Sequence, residues 1–339
     1  MDVIGSDSRV RTITDLARLV GVTPSTVSRA LADNPVVNEK TRERIKSLAL
    51  EHNFRPNRMA QSLRTRKTGI VGIVVPLGHE RKQHLSDPFF MAMLGALADA
   101  LTESGHSILL SRVIPDADDW LEQIVQSGLT DGILVIGQSD QFDTIERVAK
   151  EYPPLVVWGG ALPGQVHCAV GVDNVAGGRL VGNHLIERGC KKIAFLGEIR
   201  TLELSQRYQG LCEAAGAHGL DKPIQLNTHL ASDVMEDEIA KHVDRYGLSI
   251  DGIAAASDVI AMHLVRILAD RDIKVPSQIA ITGFDDLPLA AQTIPRLTTI
   301  RQDINLGAQL MVTALLARIA GDNVQSVQMT PSLTVRDTA

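Results

Sequence analysis

Thr12-Ile-Thr-Asp-Leu-Ala-Arg-Leu-Val-Gly-Val-Thr-Pro-Ser-Thr-Val-Ser-Arg-Ala-Leu31 decides the reading of the amino-terminal part of this chain. Thr12 is placed to cap a helix, with Asp15 at the reciprocal capping position three residues on. Gly21 ends that helix, because glycine takes the left-handed conformation of a sharp turn. Thr23 caps a second helix, and Pro24 takes its first position, where the missing N–H costs nothing. Leu16, Ala17, Val20, Val22, Val27 and Leu31 are spaced to face one small core. The pattern is a helix-turn-helix, whose second helix commonly enters the DNA major groove; a helical hairpin without a DNA role has the same outline.

Charge separates that head from the rest of the chain. Residues 1–68 hold 13 Lys and Arg against 7 Asp and Glu, a net of +6, and the remainder holds 21 against 33, a net of −12. A basic head on an acidic body fits a chain that meets phosphate at one end only. The overall charge of −6 conceals this division.

At 339 residues the chain exceeds one ordinary domain, and 44% hydrophobic residues fill sizeable cores. No long uncharged apolar run marks a membrane span. The opening residues lack the basic and apolar segments of a secretion signal, so a cytoplasmic location is expected. Cys168, Cys190 and Cys212 are too few and too widely spaced for a disulfide framework or a metal site. They read as free thiols of a reducing compartment.

A third helix is expected from Asn38 to Leu50, with Ile45, Leu48 and Ala49 closing the core of a head that spans 1–54. The segment 55–68 contains Pro56, which blocks continuation of the preceding helix, and Asn57, which caps a new short one. Met59, Ala60 and Leu63 share its apolar side, and Arg58, Arg64, Arg66 and Lys67 carry its charge. Helices shorter than roughly 12–15 residues are marginal alone, so this one folds only against a partner. A plain basic linker is the other reading.

The head resembles the LacI/GalR family of bacterial transcriptional repressors. The resemblance rests on Thr12-Ile13, Asp15, Ala17, Gly21-Val22, Thr26-Val27-Ser28-Arg29, Asn34, Lys40-Thr41-Arg42, Pro56-Asn57, Ala60 and Leu63. It implies that a recognition helix reads each operator half-site, and that paired linker helices lie in the minor groove with Leu63 as a wedge. Apolar wedges of that kind kink the duplex. By the resemblance, DNA contacts fall on Thr12, Thr23, Pro24, Ser25, Thr26, Ser28, Arg29, Asn34, Asn57, Ala60, Leu63 and Arg64. Pro24, Ser25 and Arg29 stand at base-reading positions. Arg29 suits bidentate recognition of guanine, worth roughly 1–3 kcal/mol of discrimination.

From Gly69 onward, short β-branched runs alternate with helical stretches. Strands are expected at 69–76, 107–113, 132–137 and 155–158, with helices near 90–104, 117–127 and 140–151. A second series places strands at 193–197, 224–227, 252–256 and 279–283, with helices near 174–189, 205–218, 233–246 and 258–271. Such alternation means an α/β core with parallel sheets. The stretch 297–303 and the helix to Ala320 are expected to cross back to the first lobe. The whole is an all-α helix-turn-helix head on a two-lobed α/β core, 69–339, resembling the periplasmic sugar-binding proteins of bacterial transport. Lobe 1 is placed at about 69–168 and 298–328, and lobe 2 at about 169–297 and 329–339.

A cleft between such lobes lies at the carboxyl ends of the strands. The family resemblance puts effector contacts there on Asp87, Phe89, Arg207, Ser257, Asp258 and Asp285. The Arg207 fork suits vicinal oxygens, and a carboxylate at 285 accepts bonds from adjacent hydroxyls. Ser257, Asp258 and Asp285 also fit plain helix capping, and Phe89 or Phe90 fits a core position. Asp173-Asn174 with Gly177-Gly178 reads as a structural turn at the start of the second lobe. Many family members carry an acid, often followed by Arg, after the strand ending near Val157. This chain has Trp158-Gly159-Gly160, and the indole serves either stacking on a sugar ring or packing.

No phosphate loop, His-Glu-x-x-His or Gly-x-Ser-x-Gly motif is present, so no catalytic set emerges and neither a cofactor nor a metal is expected. The reading that accounts for head, linker and body together is a homodimeric regulator that binds a pseudo-palindromic operator under control of a sugar effector. A co-repressor-type regulator responding to a non-sugar metabolite, a sugar-binding protein without a DNA role, and an α/β enzyme with a DNA-binding head are the alternatives. The body ends without the leucine heptads that join dimers into tetramers.

Overall fold

The computed structural model describes residues 10, 12–54, 67–78, 83–138, 140–230 and 232–339. They form two compact units, 1–68 and 69–339. The expected linker helix, with Asn57, Ala60, Leu63 and Arg64, lies outside the described residues.

The head contains α1 (Ile13–Val20), α2 (Pro24–Leu31) and α3 (Glu39–Glu51). Thr12 caps α1 in a complete capping box: the Asp15 N–H donates to Thr12 Oγ1 at 3.1 Å, and the Thr12 N–H donates to Asp15 Oδ2 at 3.0 Å. Gly21 adopts φ +77, as the sharp turn requires. Thr23 Oγ1 accepts from the Thr26 N–H at 3.2 Å, and Asn38 Oδ1 accepts from the Lys40 N–H at 3.0 Å. Two eight-residue helices are too short to persist alone, so packing holds them. Their shared core is Leu16, Ala17, Val20, Val27, Ala30, Val37, Ile45, Ala49 and Phe54. Val22, Leu31 and Leu48 sit only partly buried at its margin.

The second unit is built on two six-stranded sheets. The first holds β1 (Ile70–Pro76), β2 (Ser107–Val113), β3 (Gly132–Ile136), β4 (Leu155–Trp158), β5 (Cys168–Val172) and β11 (Val327–Met329), in the order β2-β1-β3-β4-β5-β11. The second holds β6 (Ile193–Leu196), β7 (Ile224–Leu226), β8 (Gly252–Ala255), β9 (Ala280–Asp285), β10 (Thr298–Arg301) and β12 (Ser332–Thr334), in the order β7-β6-β8-β9-β10-β12. All pairs are parallel except β10–β12. Both sheets therefore repeat one doubly wound order, with the switch point between the first and third strands of each.

The connecting helices are α4 (Pro88–Glu103), α5 (Trp120–Gln126), α6 (Phe142–Glu151), α7 (Asn174–Glu187), α8 (Leu202–Ala217), α9 (Ser232–Tyr246), α10 (Asp258–Ala269) and α11 (Ile304–Ala320). Separate apolar clusters fill the lobes, one of them around Phe195, Leu211, Ile253, Leu264 and Ile281, another around Ile73, Met93, Leu97, Leu134 and Leu315.

The lobe boundaries differ from the expected ones. Strand β5 pairs with β4 and belongs to the first sheet, so the first crossing falls after Val172 rather than after residue 168. Strand β10 pairs with β9, so 298–301 belong to the second lobe, and the return crossing comes just before α11. α11 itself packs its Ala308, Met311 and Leu315 into the first lobe, as expected. Cys168 and Cys190 are buried, Cys212 is half-buried, and all three are free thiols.

Candidate functional site

In the head, the exposed stripe of α2 presents Pro24, Ser25 and Arg29, with Ser28 half-buried beside them. Residues at i and i+4 share a helix face, which aligns Ser25 with Arg29. The Arg29 guanidinium makes no bond to another described side chain and extends into solvent. Thr12 and Thr23 are exposed at the amino-terminal ends of α1 and α2, and the Thr23 and Thr26 hydroxyls bond each other at 2.9 Å. Asn34 turns inward on its own loop, its Oδ1 accepting from the Val36 N–H at 3.0 Å.

In the second unit, the carboxyl ends of strands from both lobes surround a cavity of about 130 Å³. The first lobe contributes Pro76, Gln83, Asp87, Phe89, Ile136 and Trp158. The second contributes Glu203, Arg207, Leu230, Ser257, Val259 and Asp285, and Gln302 enters from the crossing after β10. Six of the seven expected effector residues thus line one cavity.

Asp258 does not, which corrects the expectation. As the first residue of α10 it is fully buried behind the wall. Its Oδ2 accepts from the Leu287 N–H at 2.8 Å, and its Oδ1 accepts from the Thr299 hydroxyl at 2.5 Å. Burial pushes its carboxyl up to about 6, opposed by those two hydrogen bonds. Ser257 is the N-cap, accepting from the Ile260 N–H at 3.3 Å, while also lining the cavity.

Arg207 is held from several sides. Its Nε donates to Asn174 Oδ1 at 2.9 Å, its Nη1 donates to the Ala256 carbonyl at 2.6 Å, and its guanidinium stacks 3.6 Å from the centre of the Phe284 ring. Its Nη1 lies 4.0 Å from Asp285 Oδ1. The Asp173–Gly178 turn is structural, as read, and it aims this arginine. Asp173 caps α7, and helices α7 and α8 approach so closely that a Cβ at Gly178 would meet the Arg207 carbonyl oxygen at 2.1 Å.

Asp285 ends β9 and is 3% exposed. Gln302 Nε2 donates to its Oδ1 at 2.6 Å. Burial raises the carboxyl well above the usual range, against the pull of Arg207. The neighbouring Asp286 points elsewhere, onto Arg336 at 2.6 Å. Asp87 caps α4 by accepting from the Phe89 N–H at 2.9 Å, and burial raises its carboxyl as well.

The apolar wall is Phe89 and Trp158, ring centres 6.4 Å apart. Trp158 lines the cavity, and its six-membered ring packs over Gly307 of α11. Phe90 lines the cavity too, although it belongs mainly to the core. Gln83, Glu203 and Gln302 also line the cavity, though no motif in the sequence marks them. Each follows a strand or opens a helix at the cavity end of a sheet, the position that the switch-point rule marks.

A helix pair with an outward-facing reading stripe, joined to a two-lobed cavity lined by carboxylates, an arginine and aromatic rings, defines a ligand-controlled DNA-binding transcriptional regulator. Residues 12–57 match the model of bacterial regulatory proteins, lacI family, and residues 183–339 match that of a periplasmic binding protein-like domain. The chain is 30% identical over 308 residues to a ribose operon repressor of Halalkalibacterium halodurans, covering 88% of this chain and 87% of that protein. A solved complex of the transcriptional regulator CelR with cellobiose is 26% identical, covers 97% of this chain and 99% of that one, and superposes with a TM-score of 0.69. A lac repressor dimer bound to operator and an anti-inducer shares the fold, with a TM-score of 0.84 at 23% identity over 96% of this chain and 98% of that one. The chain belongs to the lacI family of bacterial regulatory proteins. No helix among the described residues is long and apolar enough to cross a membrane.

Proposed function

We propose that this regulator represses transcription by binding a pseudo-palindromic operator as a homodimer, and that a small neutral carbohydrate in the interlobe cavity releases it. The observation that carries the reading is the pairing of Asp285 and Arg207 on one wall with Phe89 and Trp158 on another. Hydroxyl edges bond to the first pair, and the apolar face of a sugar ring lies on the second.

Charge narrows the effector class. Among the described lining residues, Asp87, Glu203 and Asp285 stand against the single cation Arg207. That cation is already engaged by Asn174, Ala256 and Asp285. A phosphorylated or carboxylated sugar would bring a further negative charge into this partly desolvated space. A neutral polyol bonds these acidic groups without adding charge.

Two-fold protein symmetry requires two-fold symmetric DNA. Arg29 and Ser25 read the major groove in each half-site, and the linker outside the described residues takes the minor groove with Leu63. A ligand that alters the angle between lobes shifts operator affinity by a coupling typically of 1–3 kcal/mol.

The test is to select a duplex from a random pool with the full chain, then titrate the complex with neutral, carboxylated and phosphorylated sugars while following fluorescence anisotropy. Release by a neutral sugar is the expected result. Release only by anionic sugars, or tighter binding in their presence, overturns it.

A further inference from the structure

Behind Trp158 the chain runs through Gly159 and Gly160, which carry no side chains. A carboxylate nevertheless stands there, supplied from the other lobe. Glu203, in the first turn of α8, reaches across so that the Gly160 N–H donates to its Oε1 at 3.0 Å. Gln138, which follows β3 and is 1% exposed, donates from Nε2 to the Gly160 carbonyl at 2.6 Å and to the same Glu203 oxygen at 3.4 Å. Two acceptors on one amide nitrogen fix the orientation of the Gln138 side chain.

The glycines make this crossing possible. A Cβ at position 159 would lie 2.5 Å from Gln138 Nε2 and 2.6 Å from Glu203 Oε1. A Cβ at position 160 would lie 2.8 Å from Gln206 Oε1. Glu203 also lines the cavity, and its Oε2 makes no bond to another described residue.

We propose that Glu203 is a positioning residue that latches the second lobe to the Gly160 N–H of the first through Oε1 and offers Oε2 to a hydroxyl of the bound effector. One carboxylate thereby serves both cleft closure and ligand capture. The second half of this proposal rests on the reading of the cavity as the effector site; the first half stands without it. A hydrogen bond to a carboxylate is roughly twice as strong as a neutral one, and here it is partly shielded from solvent.

Hydrogen exchange of the full-length protein, followed by mass spectrometry in the absence of any sugar, tests the latch. In Glu203→Ala the amide of Gly160 is expected to exchange roughly tenfold faster than in the parent, as loss of one charge-assisted bond implies. Amides of β6 and β8 keep their protection. Glu203→Gln, whose amide oxygen still accepts, restores most of the protection at Gly160. Gly159→Ala, which leaves Glu203 in place but fills its path, speeds exchange as Glu203→Ala does. Equal protection of Gly160 in the parent, Glu203→Ala and Gly159→Ala overturns the latch. Because no sugar is added, that failure leaves the effector reading intact, and absence of sugar binding leaves the latch intact.

Discussion

Arg207 and Asp285 face one another at 4.0 Å inside the cavity, and each is pinned by a different neighbour: the arginine by Asn174 and the Ala256 carbonyl, the aspartate by Gln302. The pair is preorganised, so an arriving ligand does not have to order it. Because burial already disfavours the charged form of Asp285, asparagine at this position costs little stability. Asp285→Asn is expected to weaken effector binding by about 2–10-fold, the loss of one neutral hydrogen bond of about 0.5–1.5 kcal/mol, with operator affinity unchanged. Calorimetry for the effector and anisotropy for the operator check the two halves. An unaltered effector response would place the polar subsite elsewhere.

The indole of Trp158 is supported from beneath by the absence of a side chain. A Cβ at Gly307 would lie 2.3 Å from Trp158 Cζ3. Gly307→Ala is therefore expected to tip the ring into the cavity, reducing effector affinity and lowering the melting temperature of the core by about 2–6 °C through overpacking. Differential scanning calorimetry and effector titration read both effects.

Arg29 is exposed and bonds no other described side chain, so its removal is expected to leave the head folded. Arg29→Ala is expected to lose about 1–3 kcal/mol of discrimination between the selected operator and variants at one base pair of each half-site, with weak non-specific binding reduced much less. Competition binding at fixed salt measures the ratio. Retained selectivity would transfer base reading to Ser25 or Pro24.

Asp258 supplies a pH signature. Its folded value of about 6 exceeds its ordinary value of 3.8, because burial favours the neutral form. Between those values the native state holds more protons than the unfolded chain, so this group's contribution to stability falls as pH rises from about 4 through 6. Asp258→Asn removes the effect. The melting temperature of the parent is expected to gain on that of the variant as pH is lowered from 7 to 4.5. A constant difference over that range would remove Asp258 as its source.

The head was legible in the sequence because its signals are local: a capping box, a left-handed glycine and a proline at the first helical position each act within four residues. The alternating core was legible for the same reason. Strand β5 escaped because Cys168-Ala-Val-Gly-Val172 is short and carries a cysteine and a glycine, so nothing in its own composition marks it against its neighbours. Strand β10 reads as a crossing in the sequence because partner choice in a sheet is a long-range property; its pairing with β9 is not written in 298–301 themselves. Asp258 was misplaced by one residue of helix phase: Ser257 faces the cavity, and the next side chain turns behind it. Glu203 escaped because its role lies in the other lobe, opposite two glycines whose significance is the space they leave.

The chain passes between the lobes three times, after β5, between β10 and α11, and between β11 and β12. Three adjacent strings of backbone tether two bodies against sliding apart, yet leave them free to nod about the line that the strings define. On the proposed function, a change in metabolite concentration would become an angular displacement at a handful of torsions in these strings, with each sheet keeping its own ladder of bonds.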